Sequence, residues 1–594
     1  MQRRDFLKAA AALPLLPLAC APGEPPASRI AATSRWVRPG DPDWPSDAAW
    51  DALRQQVHGR LIEVESPIDV CRADPSGEAC AELFRNLKNP YYIRDHPALT
   101  QTSAYLDAWT SRPSEYAVAA EETADVVAAV NFAREHRVRL VVKGGGHSYI
   151  GTSNAPDSLL VWTRRMNAIV LHEAYVPQGC DVAPQPAVTV GAGAIWMHVY
   201  QAVTVEGGRY VQGGGCGTVG VAGLVQSGGF GSFSKRFGLA AAGLLEAEVV
   251  TADGRVRIAN ACSEPELFWA LKGGGGGTFG VVTRLTLRTR ALPEWFGGFF
   301  GKIRARSDDA YHALIARFLA FYRDSLMNPH WGEQARLDDD NTLGLSMLQA
   351  GLTQKETEAV WAPFLAWVNA SEEYAWEEPA RIIAFPARRM WDRTFFQAVA
   401  PDAILQDDRP GAPPENIYWA DNRGEAGQFL HAYRSAWLPA SLLGGGPSDV
   451  RLTEALFAAS RHWTTSLHFN KGLAGAPPEE IEAARDTAMN PAVLDAFALA
   501  IIAGEGDPAF PGIPGHAPDE ARGRRAARRI QAAMAQLQAL APNPGSYVSE
   551  SDFFEHDWAS SYWGANHPRL AEAKQTYDPA GLFAVHHGVG GSAP

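Results

Sequence analysis

A strongly basic face is the first thing this 594-residue chain lacks. Its 53 Lys and Arg stand against 66 Asp and Glu, a formal net charge of −13, so nucleic acid and other polyanions are poor partners for it. No stretch matches the phosphate loop GxxxxGK followed by Ser or Thr, and no GxGxxG opens a helix after a strand. Those absences disfavour a nucleoside triphosphatase and a nicotinamide-binding Rossmann domain. There is no internal repeat, and no metal ligand set is assigned. A long apolar run is missing as well: the one near the N-terminus, 9–19, falls short of the ~20 residues that a membrane-spanning helix needs.

That short run has a meaning of its own, because Gln2-Arg3-Arg4-Asp5-Phe6-Leu7-Lys8 precedes it. Paired arginines before a brief apolar segment read as a twin-arginine export signal spanning 1–26, with cleavage expected near Ala19-Cys20-Ala21. Leu18-Ala19-Cys20 also resembles a lipoprotein processing site, so membrane attachment is expected only if Cys20 is lipidated. The expected location is periplasmic or secreted, and the translocation machinery is the expected partner on the way out. Export changes the reading of the six cysteines. Without Cys20, an odd number remains for an oxidising compartment. Cys71 and Cys80 could pair, Cys180 and Cys262 are then left to pair, and Cys216 needs another explanation.

Glycine is abundant, 56 residues, and concentrated in turns. After a Pro-, Trp- and charge-rich N-terminal extension (27–110) with a helical-looking segment over 46–65, ADVVAAVNFAREH places Val126, Val127, Val130 and Ala133 at helical spacing, and Glu121 and Glu122 suit its start. The β-rich Val138-Arg139-Leu140-Val141-Val142 follows and ends in Lys143-Gly144-Gly145-Gly146-His147-Ser148, a strand-end turn where α/β sheets often hold ligands. Three more Gly-rich turns run through Gly213-Gly214-Gly215-Cys216-Gly217-Thr218-Val219-Gly220, Gln226-Ser227-Gly228-Gly229-Phe230-Gly231, and 273–280.

These turns, with Glu266-Leu267-Phe268-Trp269 before the third and Tyr562-Trp563-Gly564-Ala565-Asn566, Arg569-Leu570 and Tyr577-Asp578-Pro579 near the end, resemble the FAD-linked oxidoreductases of the vanillyl-alcohol oxidase and berberine bridge enzyme-like family. The resemblance covers roughly 110–292 and about 545–590. It implies an α+β chain: a two-subdomain PCMH-type FAD-binding domain (111–292), a substrate domain with an antiparallel sheet covered by helices (293–540), and a C-terminal element returning to the FAD domain (541–594). It also implies FAD bonded twice, through the His147 imidazole to the flavin 8-methyl carbon and through the Cys216 thiolate to ring position 6, with a raised redox potential and a more open cleft. Bare backbone N–H groups can hold a pyrophosphate, and only glycine lets the chain lie that close. The residues expected to bind FAD besides His147 and Cys216 are Lys143, Gly144, Gly145, Gly146, Ser148, Gly151, Gly215, Gly217, Thr218, Gly220, Val221, Gly223, Gly228, Gly231, Val282 and Asn566.

The catalytic base departs from the family pattern. Relatives carry Tyr-x-Asn-Tyr-x-Asp and use its second tyrosine, whereas this chain has Tyr547-Val548-Ser549-Glu550-Ser551-Asp552. Glu550 is the favoured base, with Tyr547 beside it as an alternative; otherwise the base comes from the middle domain. Alternation over 465–469 suggests a strand with Ser466 and His468 on one face, placing His468 or Lys471 where substrate would lie. Val221 stands where oxygen-reactive relatives tend to carry valine, although Ala222 and Leu224 replace the Gly and His usual in plant members. The expected activity is oxidation of an alcohol or sugar hydroxyl with electrons passed to O2. A dehydrogenase using a quinone or cytochrome, and a flavin-retaining protein without catalysis, are the alternatives.

Overall fold

Valine and alanine at helical spacing, then a run of β-branched residues, build a small parallel layer. In the computed structural model, which describes residues 36–541 and 543–591, Glu122 and Asp125 cap each other's backbone at the start of helix Thr123–His136, satisfying two of its orphan N–H groups. Arg137, with φ of 56°, ends that helix, and the chain enters strand Arg139–Lys143. This strand, Ser158–Trp162 and Tyr116–Ala119 run parallel, and Leu61–Glu63 adds antiparallel at the far edge. The helix expected over 46–65 is shorter: it spans Asp47–Gln56, and His58 and Gly59, both at positive φ, turn the chain into Leu61–Glu63. The export signal and Cys20 lie outside the described residues.

A second sheet runs in the order Val256–Asn260, Leu244–Val250, Val281–Ala291, Gln185–Gly191 and Ile169–Tyr175, and Arg209–Val211 pairs with the far end of Val281–Ala291. Its core includes Trp196, Tyr200, Trp269, Leu285 and Leu287, and the C-terminal Tyr562, Trp563 and Leu570 pack into the same cluster. Cys180–Cys262 ties this sheet's loops together, and Cys71–Cys80 staples the N-terminal segment.

The third sheet has nine strands. Seven come from the middle of the chain, from Trp295–Ala305 to Ala496–Gly506, and all pair antiparallel. The last two, Thr102–Tyr105 and Trp109–Thr110, belong to the N-terminal segment; the first of them joins Gln428–Pro439 in parallel. The described part of the N-terminal extension, 36–110, therefore supplies edge strands to two sheets. Helices Asp308–Phe321, Pro447–His462 and Glu520–Gln538 contribute Phe318, Leu456 and Ile530 to the core behind this sheet. The chain is an α+β fold of antiparallel sheets and helices.

Candidate active site

Four turns without side chains converge on one cavity of about 1250 Å³. Gly144, Gly145 and Gly146 leave strand Arg139–Lys143; Gly213, Gly214 and Gly215 leave Arg209–Val211; Gly220 and Gly223 flank the start of helix Val221–Gln226; Gly275, Gly276 and Gly277 follow helix Pro265–Leu271. A pocket for one drug-sized molecule holds ~300–1,000 Å³, so this one has room for a large cofactor and a second molecule. Gly145 and Gly220 show why side chains are excluded. A Cβ on Gly145 would stand 2.5 Å from the Gly220 nitrogen, and one on Gly220 would stand 2.8 Å from that of Gly145.

His147 and Cys216 both line this cavity, and one hydroxyl joins them. Thr218 Oγ1 lies 3.2 Å from His147 Nε2 and 3.6 Å from Cys216 Sγ, which leaves His147 Nδ1 to face another partner. Burial, helped by the Arg94 charge, pushes the His147 pKa down to about 4, so the imidazole is neutral at ordinary pH. Burial, helped by Glu425, pushes the Cys216 thiol up to about 12. Cys216 is the one free cysteine among the described residues, since Cys71–Cys80 and Cys180–Cys262 are disulfides.

The residues present fit FAD. Gln226 Oε1 and Thr278 Oγ1 are buried polar atoms without a hydrogen-bond partner in the protein, and both residues face the cavity; buried polar atoms of this kind call for a polar ligand. The bare turns suit a pyrophosphate, and an imidazole beside a thiol suits the edge of a flavin ring.

The opposite wall is chemically different. Glu550, Tyr547 and His468, expected from the sequence, all line it. Both carboxylate oxygens of Glu550 accept from Lys471 Nζ, Oε1 at 2.6 Å. Tyr547 OH accepts from the Gly229 N–H at 3.3 Å; burial first, then the Glu550 charge, raises its pKa. Burial, and then Lys471, drives the His468 pKa well below its usual value. Ser466 and His468 share a half-buried face of strand Thr465–His468, with Thr465 and Leu467 buried on the other.

Several residues expected to touch the cofactor stand behind the wall. Strand alternation turns Val142 to the cavity and Lys143 away from it. The Lys143 ammonium donates to the carbonyls of His96, Pro97 and Leu99. Asn566 donates to the carbonyls of Met489 and Thr487. Val221 is fully buried in the second sheet's core while Ala222 and Gly223 face the cavity. Gly151, Gly217, Gly228 and Gly231 pack against Trp109, Met197, Met489 and the Gly213 carbonyl in that order. Ser148, Gly215 and Val282 do line the cavity.

Sequence reasoning missed two carboxylates. Glu333, on strand Trp331–Leu337, takes φ of 71°; a non-glycine residue there costs of order 1–3 kcal/mol and needs its surroundings to hold it. A Cβ on Gly332 would clash with the Ser232 carbonyl, so that main-chain approach fixes the neighbouring backbone. Burial raises the Glu333 pKa and pushes that of Glu425 up to about 7. Asn470 Oδ1 is a further buried acceptor without a partner on this wall. Around them stand Trp391, Phe395, Phe396 and Trp419, and Tyr149 stacked on Tyr433 at 4.9 Å. No motif marks Glu333 or Glu425, because one depends on a local backbone distortion and the other on a loop folding over the cavity.

Comparison with known proteins agrees with this geometry. The family model "FAD binding domain" matches residues 114–260, and "Berberine and berberine like" matches 546–590. The FAD-linked oxidoreductase malF of Malbranchea aurantiaca is 30% identical over 582 residues, covering 93% of this chain and 91% of its own. The crystal structure of VAO-type flavoprotein MtVAO615 from Myceliophthora thermophila C1 matches with a TM-score of 0.76 at 26% identity, covering 94% of this chain and 97% of that one. Glucooligosaccharide oxidase from Acremonium strictum, a structure concerned with its 6-S-cysteinyl, 8α-N1-histidyl FAD, matches with a TM-score of 0.62 over 89% of this chain and 100% of that one. Its 17% identity shows the fold alone. The glycine-lined cavity, the paired His147 and Cys216, and relatives matched over nearly their whole length make this chain an FAD-dependent oxidoreductase of the vanillyl-alcohol oxidase and berberine bridge enzyme-like family.

Proposed function

We propose that this protein is an exported oxidase that carries FAD bonded to His147 and Cys216 and oxidises an alcohol or carbohydrate hydroxyl at the expense of O2. The observation that carries the reading is the His147–Thr218–Cys216 arrangement on a glycine-walled cavity whose opposite wall holds Glu550 charge-paired to Lys471. The double attachment named for the Acremonium strictum enzyme and the oxidase named among the curated relatives, VAO615 of Thermothelomyces thermophilus, support it. When bound, FAD supplies the two-electron acceptor for the hydride leaving the carbinol carbon and gives the electrons up to O2 as peroxide.

The protein's share is orientation and proton handling. Glu550, fixed through both oxygens by Lys471, is the group placed to take the hydroxyl proton. The raised Tyr547 pKa keeps that phenol protonated near neutrality, which suits it to donate to a substrate oxygen and not to act as the base. Neutral His468, Asn470 Oδ1 and the aromatic walls hold the rest of the donor. Export rests on Arg3-Arg4 with the short apolar run, and two disulfides are consistent with an oxidising compartment.

The test is to denature the purified protein in acid and map flavin-bearing peptides by mass, then follow O2 uptake with a panel of alcohols and sugars. Flavin on peptides containing both His147 and Cys216, with peroxide formed during turnover, is the expected result. Flavin that washes away removes the attachment reading, and turnover only with a quinone or cytochrome replaces the oxidase.

A further inference from the structure

Cys216 presents a chemical problem that the cavity itself poses. A thiol must shed its proton to bond carbon, yet the charge and burial bearing on this sulfur oppose ionisation. Glu425, from the loop after strand Ile417–Trp419, adds a negative charge beside it. Tyr91 of helix Pro90–Arg94, Tyr149 after the first glycine turn and Tyr200 of helix Trp196–Tyr200 lie near enough to feel its charge, and burial keeps their phenols neutral, so they offer no compensating positive charge. The Arg94 charge acts on His147. Only the hydroxyl of Thr218 and the N–H groups of Thr218 and Val219 favour the thiolate.

Thr218 is 1% exposed, and its Oγ1 is within reach of both Sγ and Nε2. A hydroxyl can accept one proton while donating another. An imidazole alkylated on Nδ1 has no N–H when neutral, so its Nε2 can only accept. Attachment at His147 would therefore fix the direction of the chain: Sγ–H to Oγ1, and Oγ1–H to Nε2.

Resting on the doubly attached flavin proposed above, we propose that Thr218 is a positioning residue that passes the Cys216 thiol proton to His147 Nε2, so that the first flavin bond prepares the second. As the carbon–sulfur bond forms and acidifies the S–H, the sulfur loses its proton to Thr218, whose own proton moves to Nε2. Transfer ahead of bond formation would run uphill, from a thiol at about 12 to an imidazole at about 4. Forming the carbon–sulfur bond at an aromatic carbon releases that carbon's hydrogen as a proton. The two electrons left behind pass to dioxygen, giving peroxide.

The test compares wild type, Thr218→Val, Thr218→Ala and Thr218→Ser, each purified and digested, with flavin on the His147 and Cys216 peptides quantified by mass. Wild type and Thr218→Ser should carry both bonds. The two hydroxyl-free variants should keep the His147 bond and show at least a tenfold slower Cys216 bond. Incubated under air from pH 7 to 10, singly attached Thr218→Val should gain the second bond about tenfold faster per pH unit, because only bulk base then ionises the thiol, while Thr218→Ser stays flatter. Hydroxyl-free variants that attach Cys216 at the wild-type rate, or a Ser variant as slow as Val, overturn the relay. Wild type without flavin on either peptide overturns the attachment reading instead, and the His147 bond in each variant reports that it folds.

Discussion

Replacing Glu550 by Gln separates its proposed role as base from its part as counter-ion to Lys471, because the amide keeps the shape and loses the charge. The Lys471–Glu550 side chains are only 11% and 19% exposed, so the substitution strands an ammonium in a partly desolvated site. Breaking a fully buried pair costs about 3–5 kcal/mol. This one faces a cavity that holds Glu333, Glu425 and the unpartnered Asn470 Oδ1, so a loss nearer 1–2 kcal/mol is expected, read by denaturant titration. The rate effect is larger. A positioned base contributes ~10²–10⁴-fold, equivalent to about 3–5 kcal/mol of barrier. Glu550→Gln should therefore retain flavin on both attachment peptides and lose at least a hundredfold in kcat. Adding Lys471→Met should return most of the stability and none of the rate. A kcat within tenfold of wild type refutes Glu550 as the base, and recovery of kcat in the double variant shows that the pair serves structure alone.

Glu425, pushed by burial to about 7, is neutral below that pH and ionised above it. Its charge would oppose the negative charge that builds on a hydroxyl losing its proton, so kcat/KM should fall as pH rises through about 7, and Glu425→Gln should remove that limb. The two disulfides should rank by loop length: sequence separations of 82 for Cys180–Cys262 and 9 for Cys71–Cys80 give about 4.5 and 2.6 kcal/mol in the chain-entropy model. Paired Cys→Ser variants compared by denaturant unfolding check the order. His147, at about 4, stays neutral down to roughly pH 5. Attachment at His147 should be flat from pH 5.5 to 8 and fall about tenfold per unit below 4, where the imidazole is protonated and no longer a nucleophile.

Legibility in the sequence followed the kind of constraint. Backbone that must lie against backbone, as at Gly145 and Gly220, admits one residue type and writes itself into the chain as a motif. The odd cysteine was legible by counting, and the helix Thr123–His136 by its spacing. The acid pair Glu333 and Glu425 was not, because a carboxylate on a cavity wall and one on a surface loop are the same letter. Lys143 shows the converse. Its place in a glycine motif suggested a cofactor contact, but one residue of strand alternation carries it to the other face.

That displaced lysine explains how residues 96–105 serve the site without lining the cavity. Its ammonium gathers three carbonyls from the 96–99 segment, and the next turn of chain closes the clasp, with the Gln101 N–H donating to the Gly146 carbonyl at 2.9 Å. Gln428–Pro439 of the substrate sheet then pairs with Thr102–Tyr105. The strand that carries Tyr433 to the cavity and the turn that carries His147 are thus held by one short stretch, 96–105. Glycine turns are poorly determined on their own, since each glycine loses more backbone entropy on ordering than any other residue. Three carbonyls on one buried ammonium, a main-chain hydrogen bond to Gly146 and a β-pairing supply the ordering from outside. A geometry that must hold His147 Nε2, Thr218 Oγ1 and Cys216 Sγ within reach of one another is therefore built on a segment in which no glycine motif occurs.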